Sequence, residues 1–110
     1  MTLGLRSDYE TETLTTLTAA GATDSVLCAG VDICFQVVVS DIGTNVVIRF
    51  EGSLDDTNFF NLDQSNSDTT ITANGTYGFA LNGCPIRYLR LRVVSISGGT
   101  PSVACVVGAM

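Results

Sequence analysis

Apolar residues recur at every second position over much of this chain, and a period of two predicts strands rather than helices. Ile33, Phe35, Val37 and Val39 share one face of a first clear strand, with Cys34, Gln36, Val38 and Ser40 on the other. From residue 46 the even positions Val46, Ile48, Phe50 and Leu54 face inward, and Val47, Arg49, Glu51 and Ser53 face outward. Tyr77, Phe79 and Leu81 alternate with Gly78 and Ala80, and Leu89, Leu91 and Val93 alternate with Arg90 and Arg92. Shorter strands are predicted over 12–18, 25–28 and 69–73, the first of them an irregular edge because Leu14 and Leu17 stand three apart. The last strand, 103–107, is apolar on both faces, with Val103, Cys105 and Val107 opposing Ala104 and Val106. Such a strand is either central in a sheet or covered by another subunit.

Polar and glycine-rich punctuation separates these runs. Asp41-Ile42-Gly43-Thr44-Asn45 reads as a hairpin connection with Gly43 available for positive φ, Asn74-Gly75 as a type I′ hairpin, and Ser97-Gly98-Gly99-Thr100-Pro101 as a turn that sends the chain back. Asp55-Asp56-Thr57-Asn58 is a tight turn into Phe59 and Phe60, which cannot both face one core from a regular strand. The expected architecture is all-β: a two-sheet antiparallel β-sandwich, jelly-roll-like, of about eight or nine short strands. It occupies residues 12–110, with residues 1–11 as an N-terminal arm that becomes ordered on a partner. The expected core is Ile33, Phe35, Val37, Val39, Ile48, Phe50, Phe79, Leu89, Leu91 and Val93.

Composition narrows the function. A chain of 110 residues can bury about two-thirds of its unfolded surface, enough for one modest core. A hydrophobic share of 45% argues against disorder. Eleven acidic residues against five basic ones give a net charge of -6, which disfavours a phosphate-backbone binder. Histidine is absent, so histidine-based nucleophile triads and two-histidine metal sites are excluded. No run of apolar residues approaches a membrane span, and the first six residues do not read as a signal peptide.

The remaining chemistry is sparse. Cys28, Cys34, Cys84 and Cys105 fit either buried thiols or disulfides in any of three pairings, and no pair has the close spacing of a structural zinc site. Asp55, Asp56, Asp63 and Asp68 are the one carboxylate cluster, but they lie in Asn/Ser/Thr-rich turns where aspartate is favoured for backbone reasons, and they do not match a calcium loop. Neither catalysis, nor a cofactor, nor a metal is expected. Asn74-Gly75-Thr76 satisfies the glycosylation pattern, yet its turn role accounts for it. Arg87, Arg90 and Arg92 form the one basic stripe, too thin for nucleic acid and suited to carboxylates on a partner protein. Arg49 and Glu51 are neighbours on the outward face and can pair.

One stretch carries a resemblance. Phe50-Glu51-Gly52-Ser53-Leu54-Asp55-Asp56-Thr57-Asn58-Phe59-Phe60-Asn61-Leu62, the Asn74-Gly75-Thr76-Tyr77 hairpin, and Pro85-Ile86-Arg87-Tyr88-Leu89-Arg90-Leu91-Arg92 closed by Ser97-Gly98-Gly99-Thr100 resemble small β-sandwich proteins of tailed bacteriophage virions. The resemblance spans residues 46–100 and implies a non-enzymatic accessory protein, a capsid decoration or cement protein stabilising the phage head. It implies assembly onto the virion in the host cytoplasm, with the major capsid protein or another virion protein as partner, as a homo-oligomer and without nucleic acid or membrane. The alternative is a carbohydrate-binding β-sandwich module, or an accessory protein of the phage tail, neck or fibre. Where many similar sequences carry a tryptophan this chain has Phe59-Phe60, which weakens the sugar reading. The candidate contact residues are Phe59, Phe60, Tyr88, Arg90, Arg92, Val103, Ala104 and Val106.

Overall fold

In a computed structural model, which describes residues 10–63 and 65–110, the described residues form eight strands and no helix: β1 (Glu10–Thr13), β2 (Gly21–Ala22), β3 (Val26–Leu27), β4 (Ile33–Ser53), β5 (Phe60–Asn61), β6 (Thr69–Ile71), β7 (Gly75–Leu81) and β8 (Tyr88–Ala109). Two of them are far longer than expected. The 21 residues of β4 and the 22 of β8 run antiparallel beside each other, from Ile33 opposite Ala109 to Ser53 opposite Tyr88. At one end the lateral order is β1, β8, β4, β7; at the other, β2 and β3 flank β8 while β5 and β6 flank β4.

Three predicted chain reversals are therefore corrected. Asp41–Asn45 and Ser97–Pro101 do not turn the chain back; they lie inside β4 and β8 and face each other there. Nor is Asn74-Gly75 a hairpin, because β6 and β7 each pair with β4, on either side of its middle. Residues suited to turns serve a bend that crosses the strands side by side. Asp41, Gly98 and Gly99 adopt left-handed φ of 55°, 71° and 67°, and the register shifts at Ser40/Ile42 and again at Ile42/Asn45. The side-chain oxygen of Asn74 accepts the Ile42 N–H at 2.9 Å, satisfying a donor where the ladder is interrupted.

In place of the two separate sheets expected, hydrogen bonding runs through one eight-stranded sheet that curls over at this crease, a half-barrel rather than a jelly roll. Phe35 from the first half of β4 meets Phe50 from its second half with ring centroids 5.1 Å apart. Phe79 of β7 stacks on Phe50 at 4.6 Å with planes 9° apart. The inward set changes parity across the crease, from odd positions over 33–39 to even positions over 46–50, so one strand lines both walls of a single core. Of the ten residues expected in the core all are buried except Phe79, which is half-buried on the edge strand β7; Val46, Ile71, Val103, Cys105 and Val107 join them. Leu54, expected on the inward face, is exposed because β4 ends one residue earlier. Of the expected arm, residues 1–9 lie outside the described residues, and Glu10 and Thr11 belong to β1, opposite Ala109 and Gly108.

Candidate functional site: an arginine face

Beyond the crease the outward face of β4 and β8 carries most of the chain's positive charge. Strand alternation puts Arg49, Glu51 and Ser53 of β4 on this face, beside Tyr88, Arg90 and Arg92 of β8. The register sets Glu51 directly opposite Arg90, and Arg49 opposite Arg92. Two like charges facing each other across a ladder repel. Here carboxylates on both sides of the arginine pair offset that repulsion. Glu51 Oε1 accepts the Arg90 Nε–H at 2.7 Å, the Arg92 Nε–H reaches both Glu51 oxygens at 3.3 Å, and Arg49 Nη1 lies 3.6 Å from Oε2. Asp68, from the segment before β6, takes Arg49 in a two-bond fork at 2.7 and 3.1 Å.

Glu51 is only 3% exposed although it lies on the outward face, because three arginines gather over it and Phe59 packs on one of them, Arg90. A buried carboxylate is tolerated when several charged donors replace its water, and three guanidinium groups do so here. The Arg90 guanidinium lies 3.6 Å from the centroid of the Phe59 ring, held between that ring and the carboxylate. The fork to Asp68 raises the pKa of Arg49, and Arg49 in turn holds the Asp68 carboxyl below its ordinary range. Three guanidinium groups against two carboxylates leave one net positive charge on this pre-organised cluster. Arg87 and Tyr88 continue it, with the Arg87 guanidinium carbon 6.0 Å from the centroid of the Tyr88 ring.

The candidate contact residues fall in four places. Phe59, Arg90 and Arg92 gather in the cluster, with Tyr88 at its margin. Phe60 points the other way and is half exposed, as expected from the alternation of two adjacent rings. Val103 lies in the core on the inward face of β8, between Val39 of β4 and a bridge to Leu17. Ala104 and Val106 are half-buried on the outward face of the other half of the sheet, opposite Val38 and Gln36. The hub itself, Glu51, was legible only as a neighbour of Arg49; its burial needs β8 alongside, with Arg90 and Arg92.

The clustered aspartates do not converge. Asp55 ties its own turn, accepting from the backbone of Thr57 and Asn58, the Asn58 side chain and the Ser53 hydroxyl, and these bonds hold its carboxyl well below the usual range. Asp56 accepts the Ser25 hydroxyl, Asp63 binds Ser65, and Asp68 serves Arg49. Among the described residues no two of these carboxylates share a partner. The four cysteines are free thiols; burial pushes Cys105 up to about 12 and raises Cys28, while Cys34, read from sequence as sitting in a context for buried thiols, is exposed on the outward face of β4. Among the described residues no group of three Cys, Asp or Glu side chains is placed to hold a metal ion.

No family model matches this chain, and no curated protein does. Two solved structures are similar to it. The crystal structure of the SPBc2 prophage-derived protein YomS superposes with a TM-score of 0.62 over 99% of both chains at 11% identity, which shows a shared fold. A Bacillus endospore appendage protein, described as forming disulfide-linked pili, gives a TM-score of 0.44 at 9% identity over 91% of this chain and 85% of that one.

Proposed function

We propose that this chain is a non-enzymatic structural protein of a bacteriophage particle, a decoration or cement protein that seats on the assembled shell through its arginine face. The observation that supports this reading most is the fold similarity to a prophage-derived protein over 99% of both compared chains. The partner expected is the major capsid protein or another virion protein that presents carboxylates. Arginine and aromatic residues are the side chains most often found at energetic centres of interfaces. The cluster of Arg49, Arg90, Arg92 and Phe59 offers them already held in place, so little side-chain entropy is lost on docking. A subunit that binds only the assembled shell stabilises it by mass action, and many symmetric copies make a weak single contact sufficient.

Self-association fits the same surface. Glu10 and Glu12 line a groove of about 390 Å³ on the β1 side, of opposite charge to the arginine face. Two copies meeting through these unlike surfaces form a head-to-tail contact, the kind that closes into rings or extends along a lattice. The test is co-sedimentation of the purified full chain with native phage particles, alongside light scattering of the chain alone. Binding that weakens with salt and is lost in Arg49→Glu/Arg92→Glu supports the reading. A strictly monomeric chain that never co-sediments with particles refutes it.

A further inference from the structure

Phe60 lies opposite Gly52 at the short β5 edge and is 50% exposed, while Leu62, two residues on, is buried against the core. Its ring forms one wall of an open cleft of about 450 Å³ between residues 60–63 and 66 on one side and 81–85 on the other. Leu81 and Pro85 supply the other apolar surface, and Asp63, Asn66 and Asn82 supply the polar one. The cleft volume falls within the range of small-ligand sites, about 300–1,000 Å³.

The polar groups divide into engaged and free. Asn61 is used at both ends of its amide, accepting the Asp63 N–H and donating to the Ser67 carbonyl. Asp63 accepts both the N–H and the hydroxyl of Ser65 through Oδ1 alone. Its Oδ2 and the side-chain amides of Asn66 and Asn82 make no hydrogen bond among the described residues. An amide offers a donor and an acceptor about one hydroxyl spacing apart, which matches vicinal hydroxyls, and a carboxylate oxygen accepts one more. A phenyl ring with one open face provides the apolar platform on which the C–H face of a pyranose packs. Among the described residues no cation lines the cleft, and Asp63 repels an anion.

The geometry points to a binding site for a neutral sugar in this cleft, with Phe60 as the platform and Asn66, Asn82 and Asp63 as the hydroxyl-recognising groups. The site is separate from the arginine face, because Phe59 packs on Arg90 while Phe60 lines the cleft, the two successive rings pointing opposite ways. A chain seated on a particle by its arginines would still present this cleft outward. Loss of particle binding and loss of sugar binding are therefore distinguishable outcomes.

The experiment is a titration of the ¹⁵N-labelled full chain, followed by amide chemical shifts. The probes are glucose, galactose, mannose, rhamnose and N-acetylglucosamine, each to about 50 mM, since single-sugar contacts lie in the millimolar range. Saturable shifts confined to residues 60–66 and 81–84 with at least one neutral sugar are expected, and none with glucuronic acid. Phe60→Ala and Asn82→Ala should each weaken that binding about tenfold or more. Phe60→Tyr should retain it, and Tyr88→Ala on the other face should leave it unchanged. The amide spectrum itself reports whether each variant is folded. Absence of saturable shifts with every neutral sugar overturns the proposal, and so does binding that survives Phe60→Ala or that glucuronic acid reproduces.

Discussion

Gly43→Ala tests the crease that turns one sheet into a closed core. A methyl group built on Gly43 would lie 2.3 Å from the Gly98 carbonyl carbon and 2.5 Å from both the Gly98 oxygen and the Gly99 nitrogen. Ordinary contacts of this kind are 3.4 Å or longer, and every atom met is backbone, so no side chain can swing aside. The two strands must separate by about 1 Å, which forces overpacking strain of about 1–3 kcal/mol. The same movement stretches the neighbouring cross-crease hydrogen bonds, each worth about 1 kcal/mol net. A total of about 2–4 kcal/mol is a large share of the roughly 5–15 kcal/mol that stabilises a domain of this size. Two other glycines calibrate the cause. Gly83 has φ of 66° with open space where a Cβ would stand, so Gly83→Ala carries the left-handed cost alone, about 1–2 kcal/mol. Gly99 combines φ of 67° with a Cβ position 2.7 Å from the Gly43 nitrogen, so Gly99→Ala should cost the most of the three. Urea unfolding followed by circular dichroism reads all three as midpoint shifts at constant slope. A Gly43→Ala protein within about 0.5 kcal/mol of the parent, the ordinary range of surface substitutions, would refute the close approach of β4 and β8 at the crease.

Other expectations follow from the same structure. Phe50→Ala removes a ring packed against both Phe35 and Phe79 and should cost about 3–5 kcal/mol in the same unfolding assay, against under about 1.5 kcal/mol for the solvent-side Val38→Ala. Glu51→Gln takes the hub from three arginines that are themselves one-fifth to one-third exposed, so a loss of about 1–3 kcal/mol is expected, less than for a fully buried pair; an unchanged midpoint would show that solvent screens the network. Asp55, Asp63 and Asp68 are held more acidic in the fold than in the unfolded chain, so their contribution is present above the ordinary carboxylate pKa of about 4 and is lost as pH falls below it. Urea midpoints measured between pH 7 and 2.5 should fall on the acid side, and Asp68→Asn should flatten that fall. Ellman's reagent should titrate Cys34 in the native protein and reach Cys105 only on unfolding; equal rates would contradict the burial of Cys105.

Strand identity and inward face were legible in the sequence because both depend on side-chain period, which neighbours in sequence specify by themselves. Ile33 to Val39, Val46 to Phe50 and Leu89 to Val93 face the core as their alternation indicates. The acidic composition and the missing histidine also stand without a fold. What joins those strands was not legible. Asp41–Asn45, Asn74-Gly75 and Ser97–Pro101 carry the residues of chain reversal, yet a left-handed residue or a close glycine serves a bend across three adjacent strands as well as a hairpin. Only the pairing of β4 with β8 decides between them, and that pairing joins residues more than 30 positions apart. The same holds for the arginine face. Arg90 and Arg92 could be placed on one face from alternation, but the cluster around Glu51 needs a second strand in register, Phe59 packed on Arg90, and Asp68 brought to Arg49 from another segment. Local chemistry determines which way a side chain points; the ladder, formed once and cooperatively, decides what it meets.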